Sequence, residues 1–306
     1  MAKRRKRGRD ISGILLLDKP TDITSNKALQ DVKYLYFAAK AGHTGSLDPI
    51  ATGVLPICFG EATKFSQFLL NADKKYRVIA KLGEKTTTAD REGEVIETRA
   101  VEVTKEAFVT VMEQFKGTIE QVPSMYSALK HQGVPLHKLA RQGIEVEREA
   151  RKVSIYSCEL LSFNGDQVEM AVHCSKGTYI RNLVEDIGEV LGCGAHVLEL
   201  ERTAVGRFDL AQTVSMQQLR QMKSEDLKLE LDQLLLPIEE ALSDWPILEL
   251  TDNEAYYLKQ GQAVQVSDAP AEGMVCLMEA EQQFLGVGKI DDDGLVAPSR
   301  LLKQEI

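Results

Sequence analysis

The spacing of apolar side chains predicts helices and strands in an irregular order. Apolar residues recur at helical spacing after Ser25, Thr104 and Thr178, each of which can cap a helix. Strict alternation of apolar and polar residues over 76–82 and 168–174 predicts two half-buried strands. Because the order has no regular βαβ rhythm, the pattern predicts an α+β fold with an antiparallel sheet.

A change in charge and in residue pattern near residues 245–250 predicts a domain boundary. An acidic stretch ends there, and the TDNE sequence at 251–254 has the form of a capping box. The rest of the chain combines one short helix with strands separated by glycines, which is typical of a small β-barrel. We therefore expect a main domain over 11–246 and a β-barrel-like domain over 247–306.

Composition narrows the class of protein. The chain has 306 residues, of which 43% are hydrophobic, so a sizeable core is expected. Its longest stretch without a charged side chain is 49–60, whereas a membrane-spanning helix needs about 20 apolar residues. No signal-peptide pattern is visible, and five cysteines, an odd number, argue against a disulfide framework. These features predict a cytoplasmic protein that is not bound to a membrane.

The formal net charge of −9 is distributed unevenly. Residues 1–160 carry a balance of +6 and residues 161–306 one of −15. A nucleic acid needs only a local basic patch, so the overall acidity does not exclude one as a partner. Segment 123–143 contains three basic side chains and no acid, and six more lie within residues 3–9. The like charges at the N-terminus predict a disordered basic arm over 1–10.

No motif indicates a metal or a nucleotide cofactor. Cys193 and His196 have a spacing found in zinc sites, but no second pair accompanies them, and zinc needs four ligands or three with water. Neither a Walker loop nor a dinucleotide-binding glycine motif is present. We therefore expect no metal and no cofactor.

The most unusual stretch is GHTGSLDPIATGVLP at 42–56, where three glycines and two prolines stand among apolar residues. So apolar a loop is expected to pack, and Pro49 keeps the backbone of Asp48 out of the helical region. A carboxylate fixed in such a loop can be approached closely by a large ligand. Alternatively, Asp48 only forms an Asx turn.

Arg181 is the second unusual residue. If Thr178 caps the helix, Arg181 is its third residue, where a cation opposes the helix dipole at a cost of about 0.3–1 kcal/mol. A buried carboxylate would compensate, and Asp48 is a candidate whose pKa the arginine would then lower. The alternative is an arginine whose head reaches solvent.

Tyr76 is the third candidate. It follows two lysines and precedes an arginine, and an aromatic ring beside cations suits stacking on a base while phosphates are bound. It also lies on the same face of the predicted strand as Val78, so packing within the strand is the alternative.

Taken together, these motifs resemble the TruB family of bacterial tRNA pseudouridine synthases. The resemblance covers residues 11 to about 208 through LDKP at 17–20, GHTGSLDP at 42–49, KY at 75–76, residues 86–90, 123–130 and 140–144, and CSKGTYIR at 174–181. Residues 247–306 are similar to the PUA module of the family. The resemblance implies a pseudouridine synthase fold: a mixed, mostly antiparallel sheet flanked by helices, with a thumb insertion at about 123–152 and a C-terminal PUA domain.

The resemblance also implies an activity. A uridine in the T loop of tRNA, at position 55, would be flipped out and isomerised to pseudouridine by a monomer that needs no guide RNA. Asp48 would be the nucleophile, at ribose C1′ or at C6 of the base, and carboxylates attack sugar C1′ in retaining glycosidases. Arg181 would hold Asp48, and Tyr76 would stack on the uracil and assist removal of the C5 proton.

The resemblance further implies several residues that bind substrate. His43 would fill the space that the flipped base leaves or would brace the loop, and Tyr179 and Leu200 would line the pocket. The basic residues expected at phosphates or at the pocket rim are Lys19, Lys64, Lys130 and Arg141. Four positions depart from the family pattern, namely Asp22, Ala41, His137 and Glu201.

Three other functions remain open. A guide-dependent synthase would be expected to have long terminal extensions for protein partners. An RNA-folding protein without catalysis would not need Asp48. A nucleosidase acting on free nucleosides would have no use for the thumb or the PUA-like domain. Pseudouridine mapping on a tRNA transcript treated with the protein alone distinguishes all of these.

Overall fold

One mixed sheet runs through most of the chain in the computed structural model, which describes residues 8–127 and 129–303. Its strands, and those of three smaller sheets, are β1 Gly13–Lys19, β2 Ala41–His43, β3 Thr52–Phe59, β4 Lys74–Leu82, β5 Glu84–Thr86, β6 Val95–Thr98, β7 Gly117–Gln121, β8 Lys130–His131, β9 Val134–Pro135, β10 Arg151–Asn164, β11 Gln167–Cys174, β12 Ala195–Val205, β13 Phe208–Asp209, β14 Val214–Ser215, β15 Ile247–Glu249, β16 Met274–Glu279, β17 Gln283–Ile290 and β18 Val296–Leu301. The helices are α1 Ser25–Leu35, α2 Ser66–Asn71, α3 Lys105–Gln114, α4 Leu136–Ala140, α5 Ile180–Val190, α6 Met216–Ser224, α7 Lys228–Gln233 and α8 Asp252–Lys259.

The main sheet has the order β14-β1-β3-β12-β4-β11-β10-β7, with β2 beside β3 and β13 beside β12. The pairs β1–β14 and β3–β12 are parallel, and the others are antiparallel. Helices α1, α3, α5 and α6 contribute buried side chains to one large core with this sheet. The predicted α+β class with a mostly antiparallel sheet is confirmed.

The two alternating segments are neighbouring strands, β4 and β11, which pair in antiparallel register. The predicted helix after Thr104 begins there, because the Thr104 hydroxyl accepts the backbone N–H of Ala107 at 3.2 Å. This part of the sequence was interpreted correctly because strand alternation and the cap both depend on near neighbours.

The other two predicted caps are wrong by one residue. Thr24 caps α1, because its hydroxyl accepts the backbone N–H of Lys27 at 3.1 Å. The Ser25 hydroxyl is instead bonded to the backbone of Leu47. The residue before α5 is Tyr179, because the Thr178 hydroxyl donates to the carbonyl of Ser175 at 2.9 Å. Both hydroxyls hold loops and do not cap a helix.

The C-terminal residues form a separate sheet with the order β15-β16-β17-β18. Thr251 and Glu254 form the predicted capping box at the start of α8. Among the described residues this sheet is not a closed barrel: β15 lies at one end of it, and an isolated antiparallel bridge pairs Val296 of β18 with Val264.

The second face of the main sheet meets this C-terminal sheet. A buried cluster joins Phe65 and Phe68 to Trp245 and Phe284. The ring centroids of Phe65 and Phe284 are 5.3 Å apart, and those of Phe68 and Trp245 are 4.7 Å apart. The two sheets therefore share part of their apolar core.

The predicted thumb lies between β7 and β10, two strands that pair directly. It contains the small β8–β9 hairpin and the short helix α4. Of the predicted N-terminal arm, residues 1–7 lie outside the described residues. Arg9, however, bonds Asp232 and bridges to Ala38, so the arm extends too far in the prediction. Within the described ranges, no helix is both long and apolar enough to span a membrane.

Candidate active site

The loop that carries Asp48 connects β2 to β3 and is packed, as predicted. Leu47 and Ile50, on either side of Asp48, are buried in the main core. Ser25 accepts the Leu47 N–H at 2.7 Å and donates to the Leu47 carbonyl at 3.0 Å. The side chain of Asp48 itself remains 36% exposed. The loop therefore presents its carboxylate from a fixed backbone.

Lys19 supports this loop from inside the protein. Its side chain is 0% exposed, and its ammonium donates to the carbonyls of Pro20 at 2.8 Å, Ile23 at 2.7 Å and Pro49 at 3.3 Å. Burial lowers the pKa of Lys19 to about 8, although the nearby Asp48 opposes this shift. The prediction that Lys19 meets phosphates or the pocket rim is wrong, because all three donors are used inside the protein.

Arg181 and Asp48 form the predicted ion pair. Nε of Arg181 lies 2.9 Å from Oδ2 of Asp48, and Nη2 lies 3.3 Å from Oδ1, which makes the contact bidentate. Arg181 is the second residue of α5, not the third, since the helix starts one residue later than predicted. It is 3% exposed, so the alternative of a solvent-exposed arginine is wrong.

Arg181 has three further partners. Its Nη1 lies 3.2 Å from Oδ2 of Asp90 and donates to the Thr88 carbonyl at 2.9 Å, while Nη2 donates to the Tyr126 carbonyl of the thumb at 2.8 Å. Asp90 is only 2% exposed. Asp90 closes the 86–90 motif, but no role for it was predicted from the sequence. One guanidinium therefore holds two carboxylates and a thumb carbonyl.

Enclosure by the protein raises the pKa of the Asp48 carboxyl. The Arg181 guanidinium opposes the rise, and the Asp90 carboxylate adds to it. The predicted lowering of this pKa is wrong because it considered a single ion pair. Here the arginine is shared between two carboxylates, and desolvation outweighs its charge.

A cavity of about 420 Å³ opens on one side of the ion pair. It brings together five of the ten predicted site residues, namely Asp48, Tyr76, Tyr179, Arg181 and Leu200. Two cations without an earlier assignment, Lys74 and Arg202, also line it. We refer to it as the inner cavity.

A second cavity of about 830 Å³ lies on the other side, and Asp48 and Arg181 line both. We refer to it as the outer cavity. Its lining includes His43 and Arg141, two of the predicted binding residues. Nδ1 of His43 is buried without a hydrogen-bond partner among the described residues, and burial lowers the pKa of this imidazole. An imidazole with one unused ring nitrogen thus lines the outer cavity.

Arg202 on β12 lies opposite Tyr76 on the neighbouring strand β4, and no role for it was predicted from the sequence. It is 1% exposed, and it donates from Nε to the Val54 carbonyl at 2.8 Å and from Nη2 to the Gly45 carbonyl at 3.2 Å. Gly53 has a φ of +98°, and a Cβ there would lie 2.3 Å from the Arg202 carbonyl oxygen. A glycine is therefore required for β3 to approach β12 at this point.

The other predicted basic residues lie in different places. Lys64 lines neither cavity, and its ammonium lies 2.5 Å from Glu61 and donates to the Leu301 carbonyl at 3.2 Å. Its predicted place at the pocket rim is therefore wrong, while its contact with phosphate stays a prediction. This lysine connects the main sheet to the C-terminal sheet. Lys130 is exposed on β8 of the thumb, and its contact with phosphate stays a prediction.

Three of the family departures have clear environments. Asp22, where a glycine is usual, has a φ of +64°, the left-handed region that glycine adopts most easily. Nδ1 of His137 lies 3.0 Å from the Ser127 carbonyl and so anchors the thumb segment that lines both cavities. Glu201 lies opposite Arg77 on the neighbouring strand. Nowhere in residues 8–127 and 129–303 do three or more His, Cys, Asp or Glu side chains form a group suited to a metal ion.

Solved structures share this fold. A chain of a Cbf5–Nop10–Gar1 complex is 26% identical, with a TM-score of 0.74 and coverage of 95% of this chain and 84% of that one. A chain of an H/ACA RNP bound to a substrate RNA containing 2′-deoxyuridine is 24% identical, with a TM-score of 0.73 and coverage of 99% and 92%.

Sequence comparisons define the class, which is that of the pseudouridylate synthases. The profile of the TruB family pseudouridylate synthase N-terminal domain matches residues 33–180, and two TruB C-terminal domain profiles match 181–243 and 246–302. A tRNA pseudouridine synthase B of Aeromonas salmonicida is 56% identical over 98% of this chain and 97% of its own length. One of Stutzerimonas stutzeri is 55% identical over 100% of both chains. The chain belongs to the TruB family.

Proposed function

We propose that this enzyme isomerises a uridine of tRNA to pseudouridine, at position 55 of the T loop, without a guide RNA. The observation that carries the proposal is the buried Arg181 holding the Asp48 carboxylate at the junction of two cavities. Relatives that share 55% or more of their residues over nearly the whole chain bear the name tRNA pseudouridine synthase B.

The chemistry needs a nucleophile and an enclosed space for a base. The bond between N1 and C1′ breaks, the uracil turns, and C5 bonds to C1′ and then loses its proton. A stacked uridine must first leave its stack, and the inner cavity offers two tyrosine rings and Leu200 to receive it. Asp48 would attack C1′ or C6, while Arg181 fixes both of its oxygens.

The roles of the neighbouring residues follow from their positions. Tyr76 and Tyr179 would contact the flipped uracil in the inner cavity, and Tyr76 would assist removal of the C5 proton. His43 in the outer cavity would face the space that the base leaves. Lys130 and Arg141, both exposed on the thumb, would bind phosphates of the tRNA.

The enzyme is proposed to act alone, as a monomer in the cytoplasm. All five cysteines are free and buried, which suits a reducing compartment. Because the Cbf5 relative occurs in a complex with two other proteins, dependence on partners is the competing possibility.

The test is to incubate the purified protein alone with an unmodified tRNA transcript and to map pseudouridine at single-nucleotide resolution. We expect a single modified uridine, at position 55. The matched control is Asp48→Asn, which keeps the side-chain shape but loses the charge, and which should bind tRNA without making product. A transcript with cytidine at position 55 should remain unmodified.

Each competing function has its own outcome. A guide-dependent enzyme would give no product from the protein alone. An RNA-folding protein would behave the same with Asp48→Asn as with the unaltered chain. A nucleosidase would release uracil from free uridine. Any of these results would contradict the proposal.

A further inference from the structure

Arg202 is a fully buried cation that has no carboxylate partner among the described residues. In the part of the chain that the structure describes, no Asp or Glu lies within ion-pair distance of its guanidinium. Burying an uncompensated charge is costly, so a buried arginine normally has an anionic partner. Two of its five N–H groups are bonded to the carbonyls of Val54 and Gly45. The question is which anion the remaining donors serve.

The residue directly opposite Arg202 is Tyr76. The two are cross-strand partners in the register of β12 and β4, where side chains on one face lie about 4.5–5.5 Å apart at Cβ. Both line the inner cavity. The guanidinium and the phenol ring therefore belong to the same wall of the proposed uracil site.

Two other cations line the inner cavity with Tyr76, and both are bound elsewhere: Lys74 donates to the carbonyls of Leu69, Leu70 and Ala72, and Arg181 holds Asp48. Burial raises the pKa of Tyr76 above its ordinary value, and the nearby Cys174 and Asp48 add to the rise. Arg202 is the neighbouring group that opposes them, and Tyr76 is in turn the group that supports the charge of Arg202. The cross-strand register and the shared cavity therefore place the Arg202 guanidinium where it offsets the charge of an ionised Tyr76.

We propose that Arg202 is a positioning residue that stabilises the anionic form of Tyr76 while the phenolate oxygen takes the C5 proton of the product. This inference rests on the proposed function. After C5 has bonded to C1′, the C5–H electron pair re-forms the C5=C6 double bond and the proton moves to the Tyr76 oxygen. At the same time one bond at C6 breaks: after attack at C1′ it is the C6=N1 double bond, whose electron pair moves to N1 and takes up a proton from solvent, and after attack at C6 it is the C6–O bond, whose pair returns to Asp48. The resulting phenol then returns the proton to solvent, so no further reactant is needed.

A purely structural role for Arg202 is the alternative, since its bonds to Val54 and Gly45 also hold the loop of Asp48. The two roles differ in the step that they affect. Loss of loop support slows attack by Asp48, whereas loss of the counter-charge slows proton removal from C5. An isotope effect at the C5–H bond therefore distinguishes the two roles.

The experiment compares single-turnover rates on saturating tRNA carrying hydrogen or deuterium at C5 of the target uridine. Arg202→Met should lower the rate about 10²-fold, the lower end of what general base catalysis contributes, and should raise the deuterium isotope effect. The single-turnover rate of Arg202→Met should also increase with pH over a higher pH range than the rate of the unaltered enzyme. Arg202→Lys keeps the charge, so its isotope effect should stay close to that of the unaltered enzyme.

The matched control is Ser25→Ala, which removes two bonds to the same loop but does not contact Tyr76. It should slow the reaction without raising the isotope effect, because it slows a step that precedes cleavage of the C5–H bond. If Arg202→Met behaves like Ser25→Ala, or if Arg202→Lys shows the same isotope effect as Arg202→Met, the inference is wrong. If Arg202→Met does not fold, the Arg202→Lys pH profile decides, because a shifted alkaline rise with the charge retained contradicts the inference. An unaltered enzyme that makes no pseudouridine would instead contradict the proposed function.

Discussion

Arg181 binds both carboxylate oxygens of Asp48, although 132 residues separate them along the chain. The contact joins the first turn of α5 to the loop before β3. Because the same guanidinium also binds Asp90 and the Tyr126 carbonyl, the geometry of the carboxylate depends on three segments besides its own loop. A change at any of them should be felt at Asp48.

Arg181→Lys should abolish most of the activity. Lysine is a point donor and cannot contact two carboxylates and two carbonyls at once. We expect the single-turnover rate to fall about 10²-fold or more, equivalent to about 2.7 kcal/mol of transition-state stabilisation. Binding of tRNA should change little, since the guanidinium is buried. A lysine variant with an unaltered rate would contradict the assigned role.

The acid limb of the pH–rate profile should lie above the ordinary range of an aspartate. Asp48 has to be ionised to act, and its pKa is raised, so activity is lost as the pH falls through that raised value. Asp90→Asn removes a charge that contributes to the rise, so it should move the acid limb to lower pH. Profiles of both enzymes at saturating tRNA provide the comparison, and a limb that does not move would show that the two carboxylates are uncoupled.

Lys19→Met should destabilise the fold by about 1–3 kcal/mol, because the carbonyls that Lys19 binds lose their donors. The pKa of Lys19 is about 8 in the folded protein, below its ordinary value, so the unfolded chain binds more protons between these values. Stability contributed by Lys19 therefore increases as the pH rises through that window. Urea unfolding at pH 7 and pH 10 should show a larger difference between the two proteins at pH 10.

Removing a thumb cation should weaken binding to tRNA and make it less dependent on salt. For Lys130→Ala the log–log salt slope should decrease in magnitude by about 0.7–0.9, while the rate at saturating tRNA stays unchanged. Arg141→Ala should also lower affinity, and a rate effect would point to its place in the outer cavity. Lys105→Ala, at an exposed site on α3, is the control that should leave the slope unaltered.

Local pattern and family resemblance together predicted much of this molecule. β4, β11, the helix after Thr104 and the pairing of Asp48 with Arg181 are all present. The burial of Lys19 could not be anticipated, because its acceptors are loop carbonyls whose positions depend on the folded chain. Arg202 was missed for a similar reason, since its importance comes from a partner on a neighbouring strand.

The aromatic cluster shared by the two sheets has a consequence for biosynthesis. Phe65 is translated early, but Phe284, which covers it, belongs to the next-to-last strand of the chain. A nascent chain emerging from the ribosome therefore exposes this apolar face until synthesis is nearly complete, and such faces are prone to aggregate. Truncation at residue 246 would make the exposure permanent. The C-terminal sheet is therefore expected to protect the main domain from aggregation by covering this apolar face.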